Sequence, residues 1–170
     1  MRLRLLKKLL SLLWIFGGLS LQVHANSFGI TGNSGKQGTN CNACHTGTDY
    51  QSQLNYTGNQ STEPGTTLDI SFVLDIVKPS NVSQAYAGIN IAADGGTLTA
   101  GNNTKSSNGE LTHSQPVAVN NNRLSWDFKW IAPETPGTYT LYACSEAVDH
   151  NFSNSGDDSS SACLTQSITV

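Results

Sequence analysis

The sequence predicts an all-β protein: an antiparallel β-sandwich preceded by an irregular segment. From residue 67 onward apolar and polar residues alternate with a period of two, which is typical of a strand with one buried face. Further strand-like runs follow, separated by clusters of Asn, Gly, Ser and Pro, and no helical periodicity competes with them after residue 25. A chain of roughly six or seven short strands with no helix between them favours a sandwich.

Residues 1–25 form the first element, a predicted secretory signal peptide. Basic residues lie at its start, an apolar run covers residues 9–21, and Val23-His24-Ala25 forms a small-residue cleavage site. The alternative is an uncleaved membrane anchor, but the apolar stretch 9–23 has only 15 residues, which is short for a span. We therefore expect an exported protein, periplasmic or extracellular, with no membrane span in the mature chain.

The charge balance of the mature chain argues against nucleic acid as a partner. Four of the nine basic residues lie in the signal peptide, which leaves five against twelve acidic residues, a net charge of −7. No basic patch is available to hold a phosphate backbone. Charged residues make up only 12% of the chain, and the many Asn, Ser, Thr and Gly residues suit an exported β-protein.

The second element, residues 26–60, is rich in Gly and Asn and contains the motif C-x-x-C-H at residues 41–45. This spacing is the attachment pattern of c-type haem. Two thiols three positions apart can each add to one vinyl group of the same porphyrin, and the adjoining imidazole can reach the iron. We expect Cys41 and Cys44 to be the thioether anchors and His45 the proximal iron ligand. Glycines let the backbone pass close to a flat macrocycle.

Three alternative roles for the cysteine pair stay open: a thioredoxin-like redox site, half of a zinc site, and a local disulfide. A redox C-x-x-C normally opens a helix after a strand, whereas this one follows the glycine-rich run 29–38. Zinc would need a second ligand pair at short spacing, and the chain has no other C-x-x-C and no H-x3-H. Covalent haem is therefore favoured.

The third element, residues 61–170, is the predicted sandwich domain. After the turn signal Glu63-Pro64-Gly65, an alternating strand runs through residues 67–76. Further strands are expected at residues 85–93, 96–100, 123–130, 138–144 and 164–170. Trp126, Phe128 and Trp130 share one face of a strand, and we expect them in the core rather than on a platform for a ligand.

Cys144 and Cys163 are predicted to form a disulfide, because an exported chain meets an oxidising compartment. The bridge would join the last two strands around a polar loop and contribute about 3 kcal/mol. Both cysteines fall on the phase opposite to the apolar residues of their strands, so we expect the bridge on the outer or haem-facing side. The stretch before Cys144 is immunoglobulin-like, but its partner cysteine comes later than in true immunoglobulin domains.

Several motifs occur in a fixed order along the mature chain. They are C-x-x-C-H, Pro64-Gly65, Thr112-His113 within residues 109–114, Trp126-x-Phe128-x-Trp130-x-Ala132-Pro133, and Gly156-Asp157. In this order the chain resembles bacterial exported proteins with a choice-of-anchor V domain, which are similar to the reeler β-sandwich of eukaryotic extracellular proteins. The resemblance covers nearly all of the mature chain and implies a reeler-like fold more than a function.

The candidates for the sixth ligand of the iron can be reduced by elimination. Met1 is the only methionine, so His/Met ligation is excluded in the mature chain. We predict that His113 is the distal ligand, because it lies in a polar loop and matches the Thr-His motif of the resembled family. His150 is the second candidate and an open or water-bound position the third. Bis-histidine ligation implies a low potential, whereas an open position implies sensing or peroxidase-like chemistry.

The loop 149–158 offers oxygen ligands for calcium as a minor alternative to a plain solvated loop. Its candidate ligands are Asp149, Asn151, Asn154, Asp157 and Asp158. It lacks the spacing and the distal glutamate of an EF-hand. No Ser/His/Asp order, nucleophile elbow or phosphate loop occurs, so we do not expect a hydrolase or a transferase.

Two hypotheses for the function follow. The first is a monohaem c-type cytochrome that transfers electrons to a redox partner protein in the periplasm or at the cell surface. The second is an extracellular binding or adhesion module in which C-x-x-C-H is structural or holds a haem without redox partners. Because a haem only partly wrapped by a short segment can stack on another subunit, we keep homo-oligomerisation as a hypothesis.

Overall fold

The computed structural model describes residues 26–45, 47, 49–150 and 161–170. In these ranges the regular elements are ten strands and one turn of 3-10 helix, Cys41–Ala43. The strands are β1 Gln51–Thr57, β2 Thr67–Val77, β3 Tyr86–Ala93, β4 Thr97–Thr99, β5 Thr104–Ser107, β6 Glu110–His113, β7 Val117–Ala118, β8 Arg123–Ile131, β9 Thr138–Val148 and β10 Ala162–Thr169. The predicted all-β fold is confirmed.

The strands form two sheets that pack around one core. One sheet has the order β1-β2-β8-β4, and the other has the order β10-β9-β3-β6-β5 with β7 paired to β3. The strand pairs are antiparallel throughout these sheets. The buried cluster between the sheets draws apolar side chains from both, as a β-sandwich requires.

Strand β2 shows why the sandwich could be predicted. Its alternate residues Leu68, Ile70, Phe72, Leu74 and Ile76 are all buried. Its neighbour β8 buries Trp126, Phe128 and Trp130 on the same side. Phe72 and Phe128 stack with ring centroids 5.7 Å apart. The three aromatic residues of β8 are therefore part of the core, as predicted, and form no platform for a ligand.

Two parts of the sandwich differ from the prediction. Residues 51–57, which the composition assigns to the glycine-rich segment, form strand β1, and Leu54 is buried in the core. Residues 104–113 form a hairpin, so His113 ends strand β6 and does not lie in a loop as predicted. Asn108 and Gly109 form its two-residue turn with φ of 50° and 78°, the backbone that an Asn-Gly hairpin turn adopts.

The outer faces of the two sheets have different surroundings. On the four-stranded sheet, exposed ion pairs join Lys129 to Asp69 at 2.6 Å and Arg123 to Asp75 at 3.1 Å. The six-stranded sheet is covered on its outer face by residues 26–45, which hydrogen-bond to β3, to β6 and to the residue that precedes β10. The covered face therefore carries the C-x-x-C-H motif.

Within the described ranges, no helix is long and apolar enough to cross a membrane. The predicted signal peptide, residues 1–25, lies outside those ranges.

Candidate functional site

The segment 26–45 is fastened to the sheet through Asn90 of β3. The N–H of Asn33 donates to Asn90 Oδ1 at 2.7 Å. The Asn90 amide in turn donates to Glu110 Oε2 at 2.8 Å and to the carbonyl of Leu111 at 3.0 Å. Glu110 Oε2 also accepts from the N–H of Gly32 at 2.8 Å. Asn90 is only 3% exposed, so this network satisfies a polar group that would otherwise be costly to bury.

Gly29 brings the start of the segment into direct contact with β6. Its φ is +72°, and a Cβ there would lie 2.3 Å from Thr112 Oγ1 and 2.4 Å from the carbonyl oxygen of His113. Only a glycine fits both the left-handed backbone and this close approach. Gly29 therefore lays the backbone against the sheet, while the service of the glycine-rich run to a macrocycle stays a prediction.

The C-x-x-C-H motif folds into a single compact turn. The side chain of Asn40 caps the turn by accepting from the N–H of Asn42 at 3.0 Å. The N–H groups of Cys44 and His45 both donate to the carbonyl of Cys41, at 3.0 and 3.1 Å. Cys41 and Cys44 are both free thiols. The turn therefore brings the two expected thioether anchors and the expected proximal ligand together.

Cys41 is half-buried, and its thiol lies beside Ser161 and Glu146. Burial, and then the charge of Glu146, raise its pKa from 9.0 to about 12, against a hydrogen bond with Ser161 that lowers it. The Cys41 thiol is therefore fully protonated at neutral pH in the folded chain.

His113 lies on the same outer face, over Gly88 of β3. A Cβ at Gly88 would be 2.4 Å from His113 Cε1, so the missing side chain makes room for the imidazole. His113 Nδ1 lies 3.1 Å from the N–H of Ile89 and 3.3 Å from its carbonyl oxygen, so the ring is held in either tautomer, as acceptor from the N–H or as donor to the carbonyl. Burial lowers the pKa of His113; hydrogen bonds to the backbone of Ile89 and Asn26 oppose this shift, and the charges of Lys105 and His45 add to it. His113 is thus neutral at pH 7 and within electrostatic reach of His45.

His150 also lies on this face, just after β9. Its ring is 4.5 Å from that of Tyr86, measured between centroids, and its backbone has a φ of +61°. Tyr86 and Gly88 are two positions apart on β3 and so point to the same side of the sheet. The structure therefore places both candidate distal histidines on the face that carries C-x-x-C-H.

The predicted disulfide between Cys144 and Cys163 is formed. The two residues are direct cross-strand partners on β9 and β10. Cys144 points away from the side on which Leu141 and Ala143 enter the core, and a Cβ at Gly35 would be 3.3 Å from its sulfur. The bridge lies on the outer face beneath the segment 26–45, as predicted. Such a bridge persists in oxidising compartments, which agrees with export.

Among the described residues, no group of three or more His, Cys, Asp or Glu side chains could hold a metal ion. Residues 151–160 of the predicted calcium loop lie outside the described ranges, so calcium stays a prediction. Sequence reasoning did not single out Asn90, Gly88, Asn42, Glu146 or Ser161. Of these, Asn90 left a signal, because it is a polar residue at the centre of an otherwise apolar strand.

Comparisons with known proteins give no family. No protein-family model matches the chain, and no curated protein matches it either. The solved structures to which it is similar include a CARDB domain from Pyrococcus furiosus, with 9% identity, 72% of this chain and 96% of that chain covered, and a TM-score of 0.44. AggA, the major subunit of aggregative adherence fimbriae type I from Escherichia coli, has 14% identity, coverage of 74% and 98%, and a TM-score of 0.44.

A cohesin module from a Clostridium perfringens family 33 glycoside hydrolase is similar at 11% identity, coverage of 69% and 95%, and a TM-score of 0.39. Such low TM-scores and identities carry no argument about what this chain does. The β-sandwich implied by the choice-of-anchor V resemblance agrees with the structure, while membership of that family stays a prediction.

Proposed function

We propose that the protein is an exported β-sandwich that carries one covalent haem c and transfers electrons to a partner protein. Cys41 and Cys44 would anchor the haem, with His45 as the proximal ligand and His113 as the distal one. The observation that supports this most is the position of the motif: C-x-x-C-H and His113 share one face of the sheet, because Gly88 beneath His113 pairs with Glu146, and Glu146 and the motif both hydrogen-bond to Ser161.

The donor set on this face fits the requirements of a haem. The macrocycle itself supplies four nitrogen ligands, so the protein needs to supply two at most, and two imidazoles are at hand. Burial lowers the pKa of His113, which favours the neutral form that binds a metal. The tautomer whose Nδ1–H donates to the carbonyl of Ile89, at 3.3 Å, would leave Nε2 for the iron. Phe28 and Ile30, on either side of Gly29, are 65% and 36% exposed and offer apolar surface beside His113. When bound, a haem c supplies a one-electron couple.

The test of attachment is a pyridine haemochrome spectrum together with the intact mass, on protein exported from a host that matures c-type cytochromes. We expect a c-type absorption band and the mass of one covalent haem. The variant Cys41→Ala/Cys44→Ala should be colourless, since it lacks both anchors. A wild-type protein of apo mass without a haem band would contradict the proposal.

The test of distal ligation compares His113→Ala with His150→Ala in the haem-bearing protein. If His113 binds the iron, its removal converts the low-spin spectrum to high spin, while His150→Ala leaves the spectrum low-spin. The opposite pattern would assign the sixth position to His150. A high-spin wild-type spectrum would indicate an open position, and peroxidase-like turnover would then be measured.

A second candidate is an extracellular binding or adhesion module in which the motif is structural. One observation favours it: the segment is held to the sheet by direct hydrogen bonds, and Asn33 and Ser34 are buried against it. This hypothesis predicts a colourless exported protein that melts at the same temperature whether or not the host matures cytochromes. A red protein with reversible redox chemistry would refute it.

A further inference from the structure

Asn42, Ser161 and Glu146 form a cluster, which we call the turn lock, between the C-x-x-C-H turn and the start of β10. The N–H of Asn42 donates to Ser161 Oγ at 3.0 Å, and the N–H of Ser161 donates back to Asn42 Oδ1 at 2.9 Å. Ser161 Oγ also lies 2.9 Å from Asn42 Oδ1 and from Glu146 Oε2. One of the two residues between the cysteines is thus bound reciprocally to a residue 119 positions later.

The turn lock is built on a rigid base. Cys163 pairs with Cys144 and Ala162 with Ser145 in the β9–β10 ladder, so Ser161 and Glu146 come next along the two strands. The disulfide is therefore two residues from each of them and fixes their separation. Glu146 is only 3% exposed, which keeps its carboxylate aimed at Ser161.

We propose that Asn42, Ser161 and Glu146 are positioning residues that hold the C-x-x-C-H turn on the sheet, close the Cys41 thiol off from solvent and fix His45 relative to His113. The last part rests on the proposed haem function, whereas the closure of Cys41 does not. The motif predicts which residues could bind a haem, and the turn lock fixes the position of these residues on the sheet.

The test measures how fast iodoacetamide alkylates Cys41 in the haem-free mature chain at pH 8, with the Cys144–Cys163 disulfide intact. Peptide mass spectrometry separates Cys41 from Cys44. The variants are Ser161→Ala and Asn42→Ala, each of which removes one side of the reciprocal hydrogen bonds. Because the thiolate is the reacting form, a pKa of about 12 against 9.0 in solvent bounds the increase on full release at about 10³-fold.

The direction of the effect separates a lock from a simple contact. If the turn stays docked, loss of the Ser161 hydroxyl removes a hydrogen bond that lowers the pKa of Cys41, so alkylation slows or stays unchanged. If the turn is released, solvent reaches the thiol, and we expect alkylation at least about tenfold faster. The double variant should match the faster single variant, since either change opens the same turn.

Lys36→Met is the matched control, because Lys36 Nζ ties the same segment to the carbonyl of Ala93 at 2.6 Å without touching the cysteines. In this variant Cys41 should be alkylated at the wild-type rate. Thermal melting of each variant separates local release from global unfolding. Cys41 rates in Ser161→Ala and Asn42→Ala no faster than wild type would overturn the proposal.

The outcome is independent of the haem test. Fast alkylation in the variants together with a colourless protein from the maturing host would leave the turn lock standing and remove the haem function. A red wild-type protein, together with slow alkylation of Cys41 in the haem-free variants, would support the haem function and overturn the turn lock.

Discussion

Gly88→Ala tests whether the imidazole of His113 depends on the absence of a side chain beneath it. The new methyl group would lie 2.4 Å from Cε1, 2.6 Å from Nδ1 and 2.9 Å from Nε2 of His113. These distances are far inside van der Waals contact, so the ring has to leave. The N–H of Ile89, which donates to Nδ1 at 3.1 Å, then loses its acceptor on that side of the strand.

The cost can be estimated from the lost hydrogen bond. A buried donor left without a partner costs about 1–3 kcal/mol. Taking about 2 kcal/mol, and a shift of about 2–4 °C per kcal/mol for a chain of this size, the melting temperature should fall by about 4–8 °C. Urea denaturation followed by tryptophan fluorescence gives the free energy of unfolding directly, since Trp126 and Trp130 are fully buried.

Gly137→Ala is the control substitution. The atoms nearest to its ideal Cβ are 3.5 Å away, which is ordinary contact, so it should be neutral or stabilise by about 0.4–1 kcal/mol. The double variant Gly88→Ala/His113→Ala removes the clash along with the ring and should be no less stable than His113→Ala alone. A Gly88→Ala protein as stable as the wild type, or a double variant that loses the sum of both effects, would refute the reasoning.

Three more predictions concern stability. Burial holds the pKa of His113 below the 6.5 of the unfolded chain, so the unfolded state binds more protons in acid. Stability should therefore be full above pH 6.5 and decline below it. His113→Gln should flatten this pH dependence, as measured by urea denaturation at pH 5 and 7.5. Cys144→Ala/Cys163→Ala should lower the free energy of unfolding by about 3 kcal/mol. Reduction of the wild-type disulfide should lower it equally, and no loss in either experiment would contradict the prediction. Asn90→Ala should cost about 1–3 kcal/mol and speed hydrogen exchange at the N–H of Asn33, whose acceptor it removes; unchanged exchange there would contradict the fastening role of Asn90.

The part of the fold that sequence could predict is the part whose pattern is local. Strand β2 buries Leu68, Ile70 and Phe72 and exposes Thr67 and Asp69, which alternate with them, so its alternation is visible in the chain itself. Strand β1 escapes prediction because Leu54 is the one aliphatic residue among polar neighbours in Gln51–Thr57. The strands of the β5–β6 hairpin are four residues long, and β5 is wholly polar, so only its Asn-Gly turn marks it.

The candidate site likewise has a local part that the sequence could predict and a long-range part that it could not. C-x-x-C-H lies within five consecutive residues and can be recognised without a structure. The seat of His113 on Gly88 joins two strands, and the pairing of Asn42 with Ser161 joins residues 119 positions apart. Such contacts leave no spacing in the sequence, because packing of the two sheets creates them.

The long separations within the covering segment set an order of events in time. Its hydrogen bonds reach residues 57, 78 and 119 positions later in the chain. Each of these contacts can form only after its own partner, on β3, on β6 or next to β10, has been synthesised, and each must first close a long loop. Ser161 is synthesised 119 residues after Asn42, the neighbour of Cys41. The C-x-x-C-H turn therefore stays unattached to Ser161 until that residue has been made, and chemistry that needs accessible thiols would precede the docking of the turn on the sheet.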